Sequence, residues 1–255
     1  MSVRLELTLR RVRRTALIFL VILAAGGAVL MQNARAANSA PPPSPSASPA
    51  PTTSPAPAPA PTGSVGADVG AAAPVVDVKG FRSALFGMSE AEVRAAAAKD
   101  FAISPDAIKS AQNTVEHTQV LTLKAADVLP EGGVAEVAYV LGYKTKKLIQ
   151  VNVSWSKATD DKLTPERLTA NAETLRAYFL GVGYKPDTIV NNAPMNNGVL
   201  LFRGADSSGR TTALLLQGSF TGDKEQRTLS PTSVSLFYLA DPKNPDIYRV
   251  QPGKF

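Results

Sequence analysis

His117 is the single histidine of a 255-residue chain that has no cysteine, and that scarcity narrows the available chemistry. Thiol nucleophiles, zinc clusters and multi-histidine metal centres all need residues that are missing here. His117 lies near the start of a predicted strand. It reads either as an ordinary strand-edge residue or as a general base, and a base of that kind needs a nucleophile beside it. No serine of the chain carries the Gly-x-Ser-x-Gly frame that would mark one. Gly132-Gly133 follows Pro130-Glu131 and precedes a strand. A phosphate cradle would need a helix directly after it, so a hairpin turn is the better reading. Asp160-Asp161 reads as a solvated connection, and 206–209 and 241–246 as turns. Neither a catalytic group, a metal site nor a cofactor is expected from these residues.

A different kind of chemistry is offered around residues 139–155. Tyr139, Tyr143, Lys146 and Lys147 place aromatic and basic side chains along one predicted hairpin and its tip. Aromatics beside lysines make a candidate partner-binding surface. The alternative is that Tyr139 and Trp155 are core and the lysines merely keep the turn solvated.

Elements that could position these residues follow from capping and periodicity. Ser89 with Glu92 forms a capping box, and Met88 with Val93 a hydrophobic staple. The helix that follows carries Val93, Ala97 and Phe101 on one stripe. Ser104-Pro105 predicts a second, short helix to about Ala111. Alternating segments then predict strands at 119–123, 137–141 and 149–155, the last two joined by a turn at 145–147. Thr164-Pro165 opens another helix, striped by Leu168, Ala172, Leu175 and Phe179 and ended by Gly181 or Gly183. Strands at 199–203, 211–217 and 233–239 come after it. The expected fold class is therefore α+β, with two tandem helix-then-antiparallel-sheet units (80–157 and 163–240) packed as one globular region over 76–255.

The N-terminal portion gives the address. Arg10, Arg11, Arg13 and Arg14 precede an uncharged stretch over 16–31. Small residues at Ala34 and Ala36 predict signal-peptidase cleavage before Ala37. An uncleaved inner-membrane anchor is the alternative, with the arginines on the cytoplasmic side. Six arginines against Glu6 give residues 1–36 a charge of +5 out of the chain's +6, so the basic balance belongs to the leader. A nucleic-acid partner is not expected on that ground. Residues 37–75 are expected to be a disordered linker, since ten of the 20 prolines fall within 41–61.

At Phe86-Gly87-Met88-Ser89-Glu90-Ala91-Glu92-Val93 the sequence resembles the opening of small envelope proteins of the SmpA/OmlA type and the related β-lactamase-inhibitor-like fold. In those proteins a Gly-Met-Ser/Thr start of a helix precedes an antiparallel sheet. This chain departs from the first group in having no cysteine to lipidate, and its folded region is longer than theirs. The resemblance implies a protein without catalytic activity that presents a sheet surface to a partner.

Together these features predict an exported bacterial envelope protein, located in the periplasm, acting as a protein-binding or assembly module on other envelope proteins. Membrane contact is expected only if the leader stays uncleaved. The alternatives are a periplasmic hydrolase with a spatially assembled Ser/His or carboxylate site, and a structural spacer tethered to the inner membrane.

Overall fold

The structure, a computed structural model, describes residues 76–126, 128–222, 228–250 and 253. Among them the chain enters through a small hairpin, β1 (Gly80–Phe81) and β2 (Ala84–Leu85), and then forms helix α1 (Glu90–Phe101). A meander follows: β3 (Lys109–Gln112), β4 (Gln119–Ala125), β5 (Ala135–Leu141) and β6 (Leu148–Ser156). Helix α2 (Pro165–Gly181) precedes a second meander, β7 (Val190–Met195), β8 (Gly198–Ala205), β9 (Thr211–Thr221) and β10 (Thr228–Leu239).

The helix starts obey the capping chemistry. Glu92 accepts hydrogen bonds from the Ser89 N–H and Oγ at 2.7 and 2.6 Å, closing the first turn of α1. Thr164 Oγ1 accepts the Arg167 N–H at 3.2 Å, with Pro165 at the first position of α2. Ser104-Pro105 behaves differently: it opens only a single 3-10 turn, Pro105–Ala107, and the chain then becomes strand β3.

The eight strands of the two meanders form one continuous antiparallel sheet in the order β3-β4-β5-β6-β10-β9-β8-β7. This overturns the α+β reading with two tandem helix-then-sheet units. The described chain is mostly β, it has two α-helices, and the two meanders share a single sheet. The join is the pairing of β6 with β10, which sets Trp155 against Val234, Val153 against Leu236 and Val151 against Tyr238. Those strands read as outer strands of separate sheets when taken one at a time. Their apolar rows match in register, and pairing them satisfies two lines of backbone groups that would otherwise face solvent. The true edges are β3 and β7. β3, Lys-Ser-Ala-Gln, is polar, and β7, Val-Asn-Asn-Ala-Pro-Met, is broken by two asparagines and a proline, so neither shows the alternation that marks a strand in sequence.

One face of the sheet carries the core. Leu121, Val137, Tyr139, Val151, Val153, Trp155, Leu214, Val234 and Leu236 pack there with Val93 and Ala97 of α1 and with Leu168, Ala172 and Phe179 of α2. Helix α2 lies against β8, β9 and β10. Phe179 stacks on Phe202 at 5.5 Å between ring centroids, with Tyr184 edge-on to Phe202 at 5.1 Å. The Tyr184 hydroxyl donates to Thr212 at 2.7 Å, and burial pushes its pKa up to about 12. Two buried polar atoms of this core, Tyr139 Oη and Trp155 Nε1, have no hydrogen-bond partner.

Candidate functional site

The β5–β6 turn and the segment after β10 build one end of the molecule together. The turn closes with Gly142 N–H donating to Lys147 O at 2.8 Å and Lys146 N–H to Gly142 O at 3.1 Å, Lys146 taking a positive φ of 53°. Asp246, 101 residues further along, clamps it from outside. Its carboxylate accepts the Thr145 hydroxyl at 2.6 Å, the Thr145 N–H at 2.8 Å and the Lys144 N–H at 3.0 Å. Gly142 is needed for this approach, because a Cβ there would collide with Asp246 Oδ2. Burial alone raises the Asp246 pKa, but the hydrogen bonds from Thr145 and Lys144 outweigh it and hold the carboxyl below its ordinary value.

The strap continues across the strand ends. Tyr143 N–H donates to Asp246 O, and Tyr248 N–H donates to Glu116 O, each at 2.8 Å. That places three rings together: His117 stacks on Tyr248 at 4.3 Å, and Tyr143 meets both edge-on at 5.6 Å. Lys146 Nζ sits 5.5 Å from the Tyr143 ring centroid, within cation–π range. A cavity of about 680 Å³, lined by Tyr143, Lys144 and residues 244–250, opens beside the rings. Glu116, half-buried next to His117, has its pKa raised by burial.

Of the four residues read as a partner surface, Tyr143, Lys146 and Lys147 stand on this end, while Tyr139 does not. Tyr139 points into the helix-covered core with 0% exposure, like Trp155, because both share the inward register of Val137 and Val153. Ala34, Ala36 and Ala37 lie outside the described residues, as do the leader and the proline-rich tract.

His117 sits in the turn before β4 with a positive φ of 53°, against the rings of Tyr143 and Tyr248. Asp160 is more than a solvated loop residue: it accepts the Val134 and Lys162 N–H groups, which keeps its pKa low. Glu131 and Gly133, both at positive φ, lie in the β4–β5 turn, and Asn171 Nδ2 donates to the Gly132 carbonyl at 2.8 Å. Sequence reading missed Asp246, Tyr248 and Arg249 as parts of the site. The run 241–246 signals a turn, and nothing local to it signals a partner a hundred positions away.

No family model matches the chain, and neither a curated protein nor a solved structure matches it. Among the described residues no helix is long and apolar enough to cross a membrane. No group of three or more His, Cys, Asp or Glu is placed to hold a metal ion among those residues.

Proposed function

We propose that this protein is an exported component of the bacterial cell envelope that docks a partner protein through the β5–β6 end and acts without catalysis. The observation that carries the reading is the pinned, exposed cluster of aromatic and basic groups. Tyr143, Tyr248 and His117 pack on one another beside the turn that Asp246 clamps, with Lys144, Lys146 and Lys147 around them. Rigid aromatic anchors rimmed by charge lose little conformational entropy on binding and desolvate well. The arginine-led leader, the tract over 37–75 and the resemblance at residues 86–93 support placement in the periplasm. An uncleaved leader would put the same domain on an inner-membrane anchor, and N-terminal sequencing of the mature protein separates the two by showing whether it begins at Ala37.

The docking reading is tested by placing a photo-crosslinking side chain at Lys146 in living cells, with Asp187, exposed in another part of the chain, as control. A discrete crosslinked envelope protein from position 146 and none from 187 is expected. Identical patterns from both positions, or none from 146, would end the proposal.

A further inference from the structure

The same end holds four cations that close no contact ion pair among the described residues, although the charge of Lys144 helps hold the Asp246 carboxyl low. Lys144, Lys146, Lys147 and Arg249 are exposed, and none of them makes a salt bridge among the described residues. The acid beside the turn, Asp246, has its carboxylate occupied by Thr145 and by the Lys144 backbone. Glu92, the acid that Lys147 acts on, is engaged by the Ser89 cap. Neither carboxylate closes a contact pair with the cluster. Beyond Tyr248 the strap also holds unused backbone: the N–H groups of Arg249 and Val250 enter no hydrogen bond among the described residues. Val250 itself is 54% exposed, and Tyr248 38%.

Of these groups Lys144, Arg249, Tyr143, Tyr248 and Val250 line the cavity between the strap and the turn, and Lys146 and Lys147 stand on the adjoining turn. Resting on the docking reading above, we infer that this groove takes an extended, acidic segment of a partner polypeptide. Carboxylates of the segment meet the Lys144 ammonium and the Arg249 guanidinium in the groove, with Lys146 and Lys147 adding positive charge on the turn beside it. One carbonyl of the segment accepts a backbone N–H of the strap beyond Tyr248. Apolar side chains between the acids lie on the rings of Tyr143 and Tyr248. Three of the four cations are lysines, point charges that suit separate carboxylates; phosphate-rich ligands favour the planar fork of arginine. The backbone donors of the strap likewise suit the carbonyls of a polypeptide.

The full chain is titrated with a fluorescein-labelled peptide of alternating glutamate and valine, read by anisotropy, with an alternating lysine–valine peptide as control. Saturable binding of the acidic peptide alone is expected, weakening as salt is raised because the pairs lie at the surface. Reversing charge at Lys144→Glu and Arg249→Glu together is expected to weaken binding about tenfold, the summed effect of exposed ion pairs. Tyr248→Ala, with all cations kept, is expected to weaken it several-fold. Both variants alter exposed side chains, and an unchanged melting temperature shows that the fold is intact. Equal affinity for the two peptides, or no change on charge reversal, overturns the inference. Retention of the protein by phosphatidylglycerol vesicles without peptide binding overturns it too, and assigns the cluster to a membrane surface. If the acidic peptide fails to bind while crosslinks from position 146 persist, this inference falls and the docking reading stands. If the peptide binds and no crosslinks form, the groove keeps its acidic ligand and the docking reading in the envelope falls.

Discussion

The two halves of the sheet bury their side chains differently. In the first half, β6 alternates: Val151, Val153 and Trp155 face the core, while Gln150, Asn152 and Ser154 are half-buried and polar on the other face. In the second half that alternation is lost. Thr211 to Leu216 of β9 are buried without interruption, and in β10 the run from Val234 to Phe237 is buried as well. Cross-strand register puts Phe237 beside Ala213 and Leu215 beside Leu200, a second apolar row on the face opposite Leu214 and Leu236. This row lies outside the core cluster. An antiparallel strand with one wet face reads as a period of two, whereas one with apolar side chains on both faces reads as a continuous run. The same sheet therefore carries two sequence codes.

The largest expected effect lies at the join between the halves. Trp155→Ala removes the bulkiest core side chain at the β6–β10 pairing and should cost about 3–5 kcal/mol in urea unfolding. A loss near zero would mean that the two meanders are stable independently of their contact. Next comes the contrast itself. Leu215→Ala in the second half should cost about 2–5 kcal/mol, while Ser154→Ala on the same face of the first half should stay within about 0.5 kcal/mol. Equal effects would erase the distinction between the halves.

A smaller contrast concerns two aspartates that each clamp a turn. Asp206 is buried at 3% exposure and accepts the N–H groups of Val78, Ser208 and Arg210. Asp206→Ala strands those donors and should cost about 1–3 kcal/mol. Asp246→Ala, at a more open position, should cost less by the same denaturant measurement.

The smallest effect is one of pH. The folded Asp246 carboxyl sits below its ordinary value of 3.8, so its contribution is complete above that value and disappears as pH falls through the folded pKa. Glu116 runs the other way: burial raises its pKa, so ionisation opposes folding and its favourable state exists only at acid pH. Melting temperatures across the acid range should show Asp246→Asn flattening the acid decline and Glu116→Gln stabilising the protein near neutrality. Parallel curves for both variants would contradict the opposite signs.

What was legible in the residues follows the same division. Helix starts at Ser89 and Thr164 depend on local hydrogen bonds, and they occur where the capping residues stand. Strands β4, β5 and β6 were legible because one polar face enforces alternation. β3 and β7 were not, because an edge strand needs only a backbone partner and neither alternates regularly between apolar and polar residues. The sheet order was out of reach for a further reason: Val151 and Val153 announce a strand but not whether its neighbour is 10 or 80 residues away. At the candidate site, Tyr143, Lys146 and Lys147 could be found because a turn exposes its tip. Tyr139 was misplaced with them, since a tyrosine in an alternating row can face either side until the register is known.

The last of the described strands, β10, is also an inner one, flanked by β6 on one side and β9 on the other. A ribosome that stops after β9 but before Thr228 therefore leaves β6 and β9 each with an uncovered flank that carries valine or leucine. Such truncated products should stick to each other rather than form a smaller working version of the protein.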